Sequence, residues 1–567
     1  MNQSFSQSTA RLLFLVALAA CGLGGFYFYL QSTKNVDSDQ DLPSTGESLV
    51  PVTSAVGESN GGQPVEGTAE STPAASTADN TDMPPKLSAR PVVKMPWEDW
   101  PQPTAVLALT GEQSGYFEPC GCSENQAGGM SRRASLVNKM TSAGWPVTCL
   151  DIGGLSRRTG AQAGIKLQTS LNALDIAGYQ AVGLGIEELR LGVDRLLDVQ
   201  MQLMNQSTKL RFLCANVQLL DGALEGEGFP QKLIVNDVGG LKIGVTSVLS
   251  EGMHREVFPL GDAKWSDPIA AITAAMSEFD QQGVQLRVLL SYASIEDSIE
   301  YAKQFPKFNV VLTARGVGDP DPNAAPQKVG DTLIVEPGRK GRHVGVLGVY
   351  KEGDELSFRY KLVTLERQGF PETQSMVDLM QKYQNRLKDE QIVLVDGVSA
   401  PHPSQSKFVG ATKCGECHTE ALEIWENTPH AHALESLDPA NKRVGHDRLN
   451  GINRSFDPEC LACHVTGWDP QEYTRFRSGF LNEEFATNEG EKELHKLLAG
   501  SQCENCHGPG SQHIEMVDAG EPDAGKSVRV SKEQAKKSLC SKCHDGDNSP
   551  KFEFDSYWDK VKHYGMD

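Results

Sequence analysis

Basic residues are in short supply in this 567-residue chain: 53 Lys and Arg stand against 74 Asp and Glu, a formal charge of -21. That balance excludes the basic stripe a nucleic-acid groove needs, so no nucleic-acid partner is expected. Aliphatic clusters are missing from Gln31 to about Pro103, where Ser, Thr, Gly, Pro, Asp and Glu dominate. So little apolar surface cannot offset the entropy of ordering the chain, and residues 31–103 read as a low-complexity, disordered tether. The remaining length is too great for one ordinary core and predicts a multidomain protein.

What is present begins with an unbroken apolar and small-residue run from Leu12 to Leu30, behind Arg11. Its 19 residues span about 28 Å as a helix, close to the hydrocarbon thickness of a bilayer. Arg11 on the N-terminal side places the rest of the chain outside the cytoplasm. Leu18-Ala19-Ala20-Cys21 also has the form of a bacterial lipobox, with Cys21 as the lipidated residue. The apolar run continues past it through Phe26 to Tyr29, which favours an uncleaved signal anchor over residues 1–30. Either reading tethers the protein to the periplasmic side of a bacterial membrane.

Eight of the 13 cysteines fall after residue 413, in four identical short patterns. These are Cys414-Gly-Glu-Cys417-His418, Cys460-Leu-Ala-Cys463-His464, Cys503-Glu-Asn-Cys506-His507 and Cys540-Ser-Lys-Cys543-His544. In each, two thiols reach the vinyl groups of one haem as thioethers, and the adjoining histidine becomes the proximal iron ligand. Zinc sites built from paired C-x-x-C motifs are the competing reading, but they leave unexplained a histidine after every second cysteine. The expected cofactors are four haem c and no other. An acidic surface suits basic redox partners, and it suits plain solubility as well.

From about Phe408 onward the chain resembles the tetrahaem cytochromes c that take electrons from hydroxylamine oxidoreductase in ammonia-oxidising bacteria. The matching stretches are Phe408-Val409-Gly410 with Cys414, Trp425 to Leu437, Cys460 to Gly467, Cys503 to His513, and the tail from Ser549 to His563. The resemblance implies three haems with two axial histidines and a second haem, on His464, that is five-coordinate. It assigns distal roles to His430, His513 and His563: His513 opposite His418, His563 opposite His507, and His430 opposite His544. His432 lies two residues from His430 and spacing alone does not separate them. His402, His446 and His495 read as ordinary side chains.

Between about Thr104 and Arg367, short β-rich runs alternate with helical stretches. The runs are Ala105–Leu109, Val147–Leu150, Leu241–Val245, Val288–Leu290 and Val310–Leu312; helical patterning covers Gly164–Ala177 and Pro268–Gln282. This alternation predicts an α/β domain. The region resembles the metallophosphoesterase domain of periplasmic 5′-nucleotidases at Gly128 to Arg133, Asn172 to Val182, Cys214 to Val217, Val329 to Ile334 and Gly338 to Gly345. The resemblance implies a sandwich of two mixed sheets flanked by helices and a two-metal hydrolytic site.

The family's metal ligands do not carry over. Glu112-Gln113-Ser114 stands for Asp-x-His, Asp151-Ile152-Gly153-Gly154 for Asp-x-Gly-Asp, and Gly185-Ile186-Glu187-Glu188 for Gly-Asn-His-Glu. Ser291-Tyr292 replaces Ser-His, and Ala314-Arg315-Gly316-Val317 replaces Gly-His-x-His. A rearranged metal site from Glu112, Cys120, Cys122, Asp151 and Glu187 is one expectation. Another is a disulfide among Cys120, Cys122, Cys149 and Cys214; Cys214 reads most simply as a core residue.

Residues 368–403 read as a helical linker, with Met376, Leu379, Met380 and Tyr383 at helical spacing, and residues 404–567 as a mainly α multihaem cytochrome c domain. The sequence therefore predicts a membrane-tethered electron carrier in which the sandwich of residues 104–367 is not catalytic. Two alternatives remain at this stage: a redox enzyme acting on a small nitrogen or sulfur species at the His464 haem, and a hydrolase with a rearranged metal site.

Overall fold

Strands buried on both faces read as continuous apolar runs, and such runs form the centre of two sheets here. The computed structural model describes residues 95, 97–118, 126–206, 208–220, 229–257, 263–316, 318–396, 399–441 and 450–563. The expected anchor, Cys21, Cys120, Cys122 and His446 lie outside the described residues. Among those described, no helix is long and apolar enough to cross a membrane.

The strands are β1 (Ala105–Thr110), β2 (Val147–Asp151), β3 (Tyr179–Gly183), β4 (Arg211–Leu213), β5 (Val217–Leu219), β6 (Leu233–Val238), β7 (Leu241–Leu249), β8 (Ala263–Trp265), β9 (Leu286–Tyr292), β10 (Val310–Thr313), β11 (Gln327–Val329), β12 (Thr332–Val335), β13 (His343–Glu352) and β14 (Glu355–Thr364). One sheet has the order β14-β13-β1-β2-β3-β4 and the other β11-β12-β10-β9-β7-β6. In the first, β1 to β4 are parallel, and β13 and β14 add antiparallel pairs. In the second, β7, β9, β10 and β12 are parallel, with antiparallel β6 and β11 at the edges. Both sheets are mixed, and their inner side chains share one core running from Leu107 and Leu150 to Val288 and Leu312.

Helices cover the sheets where the sequence supplies boundaries. Pro268–Gln282 starts on Asp267, whose carboxylate accepts from Ile269 N and Ala270 N at 3.0 and 3.3 Å, and stops at left-handed Gly283. Gln374–Asp389 buries Met376, Met380, Tyr383 and Leu387 along one face and packs on the helix Ala161–Ile176. The folded part begins before the boundary expected at residue 104, because Trp97 is buried and Trp100 stacks on Trp145 at 6.3 Å.

The C-terminal region is built of short helices and turns around a small core of Phe408, Leu461, Val465, Trp468, Phe480 and Leu498. All described residues fall within one compact unit.

The parallel strands bring the chemistry together. Ligands in such sheets bind beyond the carboxyl ends of the strands. Here both sheets direct those ends to one place: Glu112 follows β1, Glu187 and Glu188 follow β3, Tyr292 ends β9 and Arg315 follows β10.

Candidate haem centres and the cleft of the sandwich

A C-x-x-C-H pattern places its reactive groups on one side of a helical turn, since residues three and four apart face the same way. Each of the four patterns adopts such a turn. His418 N donates to Cys414 O at 3.0 Å and His544 N to Cys540 O at 2.8 Å, while Pro458–His464 and Cys503–His507 are helices.

The imidazoles are oriented by their Nδ1 atoms. Nδ1–H donates to a backbone carbonyl in His464 (Ala433 O, 2.7 Å), His507 (Val528 O, 2.7 Å), His513 (Ala524 O, 2.8 Å) and His563 (Val561 O, 2.9 Å). His544 Nδ1 lies 2.8 Å from Ser549 Oγ. A carbonyl only accepts, so the proton sits on Nδ1 and the Nε2 lone pair is left to bind metal. Burial holds the His430, His507 and His544 imidazoles below their usual pKa, in the neutral form that ligates.

Three of the four pattern histidines face a second histidine ring. The centroids of His418 and His513 are 6.4 Å apart, those of His430 and His544 6.0 Å, and those of His507 and His563 5.9 Å. Two imidazoles bound to opposite sides of one metal, each through a bond of about 2 Å, have centroids about 6 Å apart. These residues fit an iron held between two axial histidines.

The other histidines sit elsewhere. His432 Nδ1 is 3.2 Å from Glu435 Oε1, His402 packs between Phe408 and Phe476, and His495 lies against Phe480. The patterns also adjoin in a definite order: Cys414 lies near Cys503, Cys506 near Cys540, and Cys463 near Cys543.

Several residues that frame these turns were not singled out as site residues from the sequence. Glu504, between two cysteines, is buried and accepts from Val409 N, Gly410 N and Gly510 N at 3.0, 2.8 and 2.7 Å, tying the first pattern to the third. Gln502 and Trp425 act alike, through Ala411 N at 2.7 Å and Ser501 O at 2.9 Å.

Residues 413–508 match the family model of cytochrome c554 and c-prime. That stretch contains three of the four patterns, and the Cys540 pattern follows it. Cytochrome c-554 of Nitrosomonas europaea is 31% identical over 155 residues, which cover 25% of this chain and 59% of the relative. The chain thus spans less than two thirds of the curated relative it matches. The solved reduced cytochrome c554 of Nitrosomonas europaea is similar over 28% of this chain and 89% of its own, at 25% identity and a TM-score of 0.20. The solved 5′-nucleotidase precursor of Thermus thermophilus is similar over 52% of this chain and 61% of its own, at 18% identity and a TM-score of 0.43. The cytochrome c554-like stretch implies haem c as a cofactor of this region.

The cleft of the sandwich is organised around internal charge. Asp151 is fully buried: Thr110 Oγ1 donates to its Oδ2 at 2.6 Å, Gly153 N to its Oδ1 at 2.9 Å, and Arg133 Nη1 to its Oδ2 at 3.2 Å. Burial raises the Asp151 carboxyl and Arg133 opposes that rise. Glu187 accepts from the Tyr292 hydroxyl and lies 3.4 Å from Arg315 Nη2. Glu112 accepts from Arg315 N at 3.2 Å, and burial raises its carboxyl.

Asp151 therefore belongs to the Arg133 pair, whereas Glu112 and Glu187 meet at Arg315. Among the described residues no group of three or more His, Cys, Asp or Glu is arranged to hold a metal ion. Cys149 and Cys214 are free and buried, and burial pushes both thiols up to about 12.

Glu188 is fully buried and accepts four backbone donors: Leu155 N (2.7 Å), Gly185 N (3.0 Å), Gly154 N (3.1 Å) and Ser156 N (3.2 Å). Burial, followed by the Glu187 charge, nevertheless pushes its carboxyl up to about 7. With the folded value above the unfolded one, its contribution to stability is full below about 4.5 and is lost as pH rises through about 7. Melting temperatures of Glu188→Gln are expected to change less between those pH values than those of the wild type; parallel profiles would count against a raised Glu188.

Proposed function

We propose that this protein is a periplasm-facing, membrane-tethered tetrahaem cytochrome c whose C-terminal region passes electrons between redox partner proteins. The observation that carries this reading is the set of three facing imidazole pairs, each joining a C-x-x-C-H histidine to one from elsewhere in the chain. Bound haem c supplies a one-electron couple at each turn. The chain's own part is orientation: Nδ1 anchors aim the ligating nitrogens, and Glu504 and Gln502 hold the turns at fixed spacing.

In this reading the sandwich is a non-catalytic scaffold. Support comes from the use of its carboxylates, with Asp151 committed to Arg133 and Glu187 to Arg315 and Tyr292. Purified full-length protein is expected to carry four haems per chain, to titrate reversibly, and to show no phosphodiester hydrolysis with added divalent metal. Fewer than four haems or an irreversible titration would reject the tetrahaem carrier, and metal-dependent turnover would reject the inert sandwich.

A further inference from the structure

The sandwich and the C-terminal region touch in a lopsided way. Their polar contacts, among the described residues, fall on residues 454–484 and on Asp547. Those residues belong to the second and fourth patterns: Glu459 precedes Cys460, and Asp547 lies three residues past His544. The loops that reach them stand at the carboxyl ends of β1 and β2 and just before β13, at one rim of the cleft.

Two features of that rim are charge-bearing. Lys340 Nζ lies 2.5 Å and Arg342 Nη2 3.2 Å from the Asp547 carboxylate, and the Tyr116 hydroxyl donates to the same group at 2.6 Å. Arg157 Nη1 donates in turn to that hydroxyl at 3.0 Å. Beside them Arg158 lays its guanidinium on the Tyr473 ring, 3.8 Å from the centroid, and donates to Gln471 O. Gln471 Nε2 bonds Lys542 O at 2.9 Å, next to Cys543, and Tyr473 lies within electrostatic reach of Cys463.

The cations outnumber their partners. Arg157 and Arg158 form no ion pair with a carboxylate among the described residues, and Arg158 Nε is buried with no hydrogen-bond partner. Arg157 is exposed and Arg158 half-buried, and Arg158 spends its guanidinium on the Tyr473 ring and Gln471 O, so no carboxylate in contact neutralises either charge. Reduction of a haem adds one negative charge, and a fixed cation nearby favours the reduced form.

We propose that the α/β sandwich supplies a cationic wall to the haems on His464 and His544, with Arg158 and Lys340 holding those two at higher potential than the other pair. This rests on the tetrahaem reading. It gives the sandwich a positioning role in electron transfer: its rim sets the direction in which electrons settle, toward the end of the haem chain that it covers.

The test is a spectroelectrochemical titration of full-length holoprotein carrying Arg158→Gln or Lys340→Gln, with Arg158→Lys and Lys340→Arg as charge-preserving controls. Two of four midpoint potentials are expected to fall by roughly the equivalent of a tenfold change in the ferrous-to-ferric ratio, about 59 mV for one electron. The other two stay in place, and the charge-preserving variants restore the wild-type values. Four unmoved potentials in a fully haem-loaded variant overturn the proposal, as does an equal shift of all four or a shift that the conservative variants share. If one Gln variant fails to load haem, the other carries the same test at an independent contact. Wild-type protein with fewer than four couples would instead refute the tetrahaem reading itself.

Discussion

Replacing His430 by alanine is expected to convert one low-spin haem to high-spin iron, with His513→Ala and His563→Ala each converting one other. The warrant is geometric. Each ring faces a pattern histidine across 5.9 to 6.4 Å, the separation two imidazoles adopt about a shared metal. Without the distal nitrogen the iron keeps only its proximal ligand and binds water or an added small anion. Absorption and electron paramagnetic resonance spectra of the purified variants read the change directly. His432→Ala, His402→Ala and His495→Ala serve as controls, because those rings sit against Glu435, Phe476 and Phe480. A high-spin signal from His432→Ala with an unchanged spectrum from His430→Ala would reverse the assignment.

The haem turns were legible because attachment chemistry demands residue types at fixed spacing, and a spacing of three and four on a helix is local. Which histidine faces which pattern was not, because those partners lie up to 114 residues apart (His430 and His544) with no period connecting them. Family resemblance is what supplied that pairing. In the sandwich, the runs read as strands became the buried, parallel centres of the two sheets. Some of the strands that were not read lack such runs: Leu233–Val238 is half-exposed and Gln327–Val329 mostly exposed, so neither has enough apolar pattern to announce itself, whereas His343–Glu352 is a buried interior strand whose apolar run is broken by Gly345 and Gly348.

The cleft was legible only through the family resemblance and the residues expected to depart from it. What the cleft holds depends on tertiary contact: the Arg132 and Arg133 side chains are both buried, which nothing in their local sequence marks. The docking of the C-terminal region was equally hidden. Lys340 and Asp547 are 207 positions apart, and nothing in either local sequence marks an ion pair.

Arg133 is where the second large effect is expected. Its side chain is fully buried, contacting Asp151 at 3.2 Å, the Gln113 amide oxygen and the face of Tyr179, while its Nε has no partner. Arg133→Met keeps the length and removes the charge, which leaves the Asp151 carboxylate buried with only Thr110 and Gly153 as donors. Breaking a buried pair from one side costs about 3–5 kcal/mol. The loss has a pH signature of known sign. Without Arg133 the folded-state pKa of Asp151, already raised by burial, rises further, so the variant is least impaired at acid pH and loses stability as pH increases. Adding Asp151→Asn removes the stranded charge and should recover part of the loss, since residues in one network do not contribute additively. Calorimetric melts of the two single variants and the double variant provide the measurement. If Arg133→Met lies within about 0.5 kcal/mol of wild type, the pair is not what holds this end of β2. The same variant also bears on the cleft, because it frees the buried Asp151 carboxylate from its cationic partner. If Arg133→Met binds a divalent metal that the wild type does not, then Arg133 is what keeps Asp151 from serving as a ligand. If neither binds, Arg133 is not what decides metal binding at Asp151.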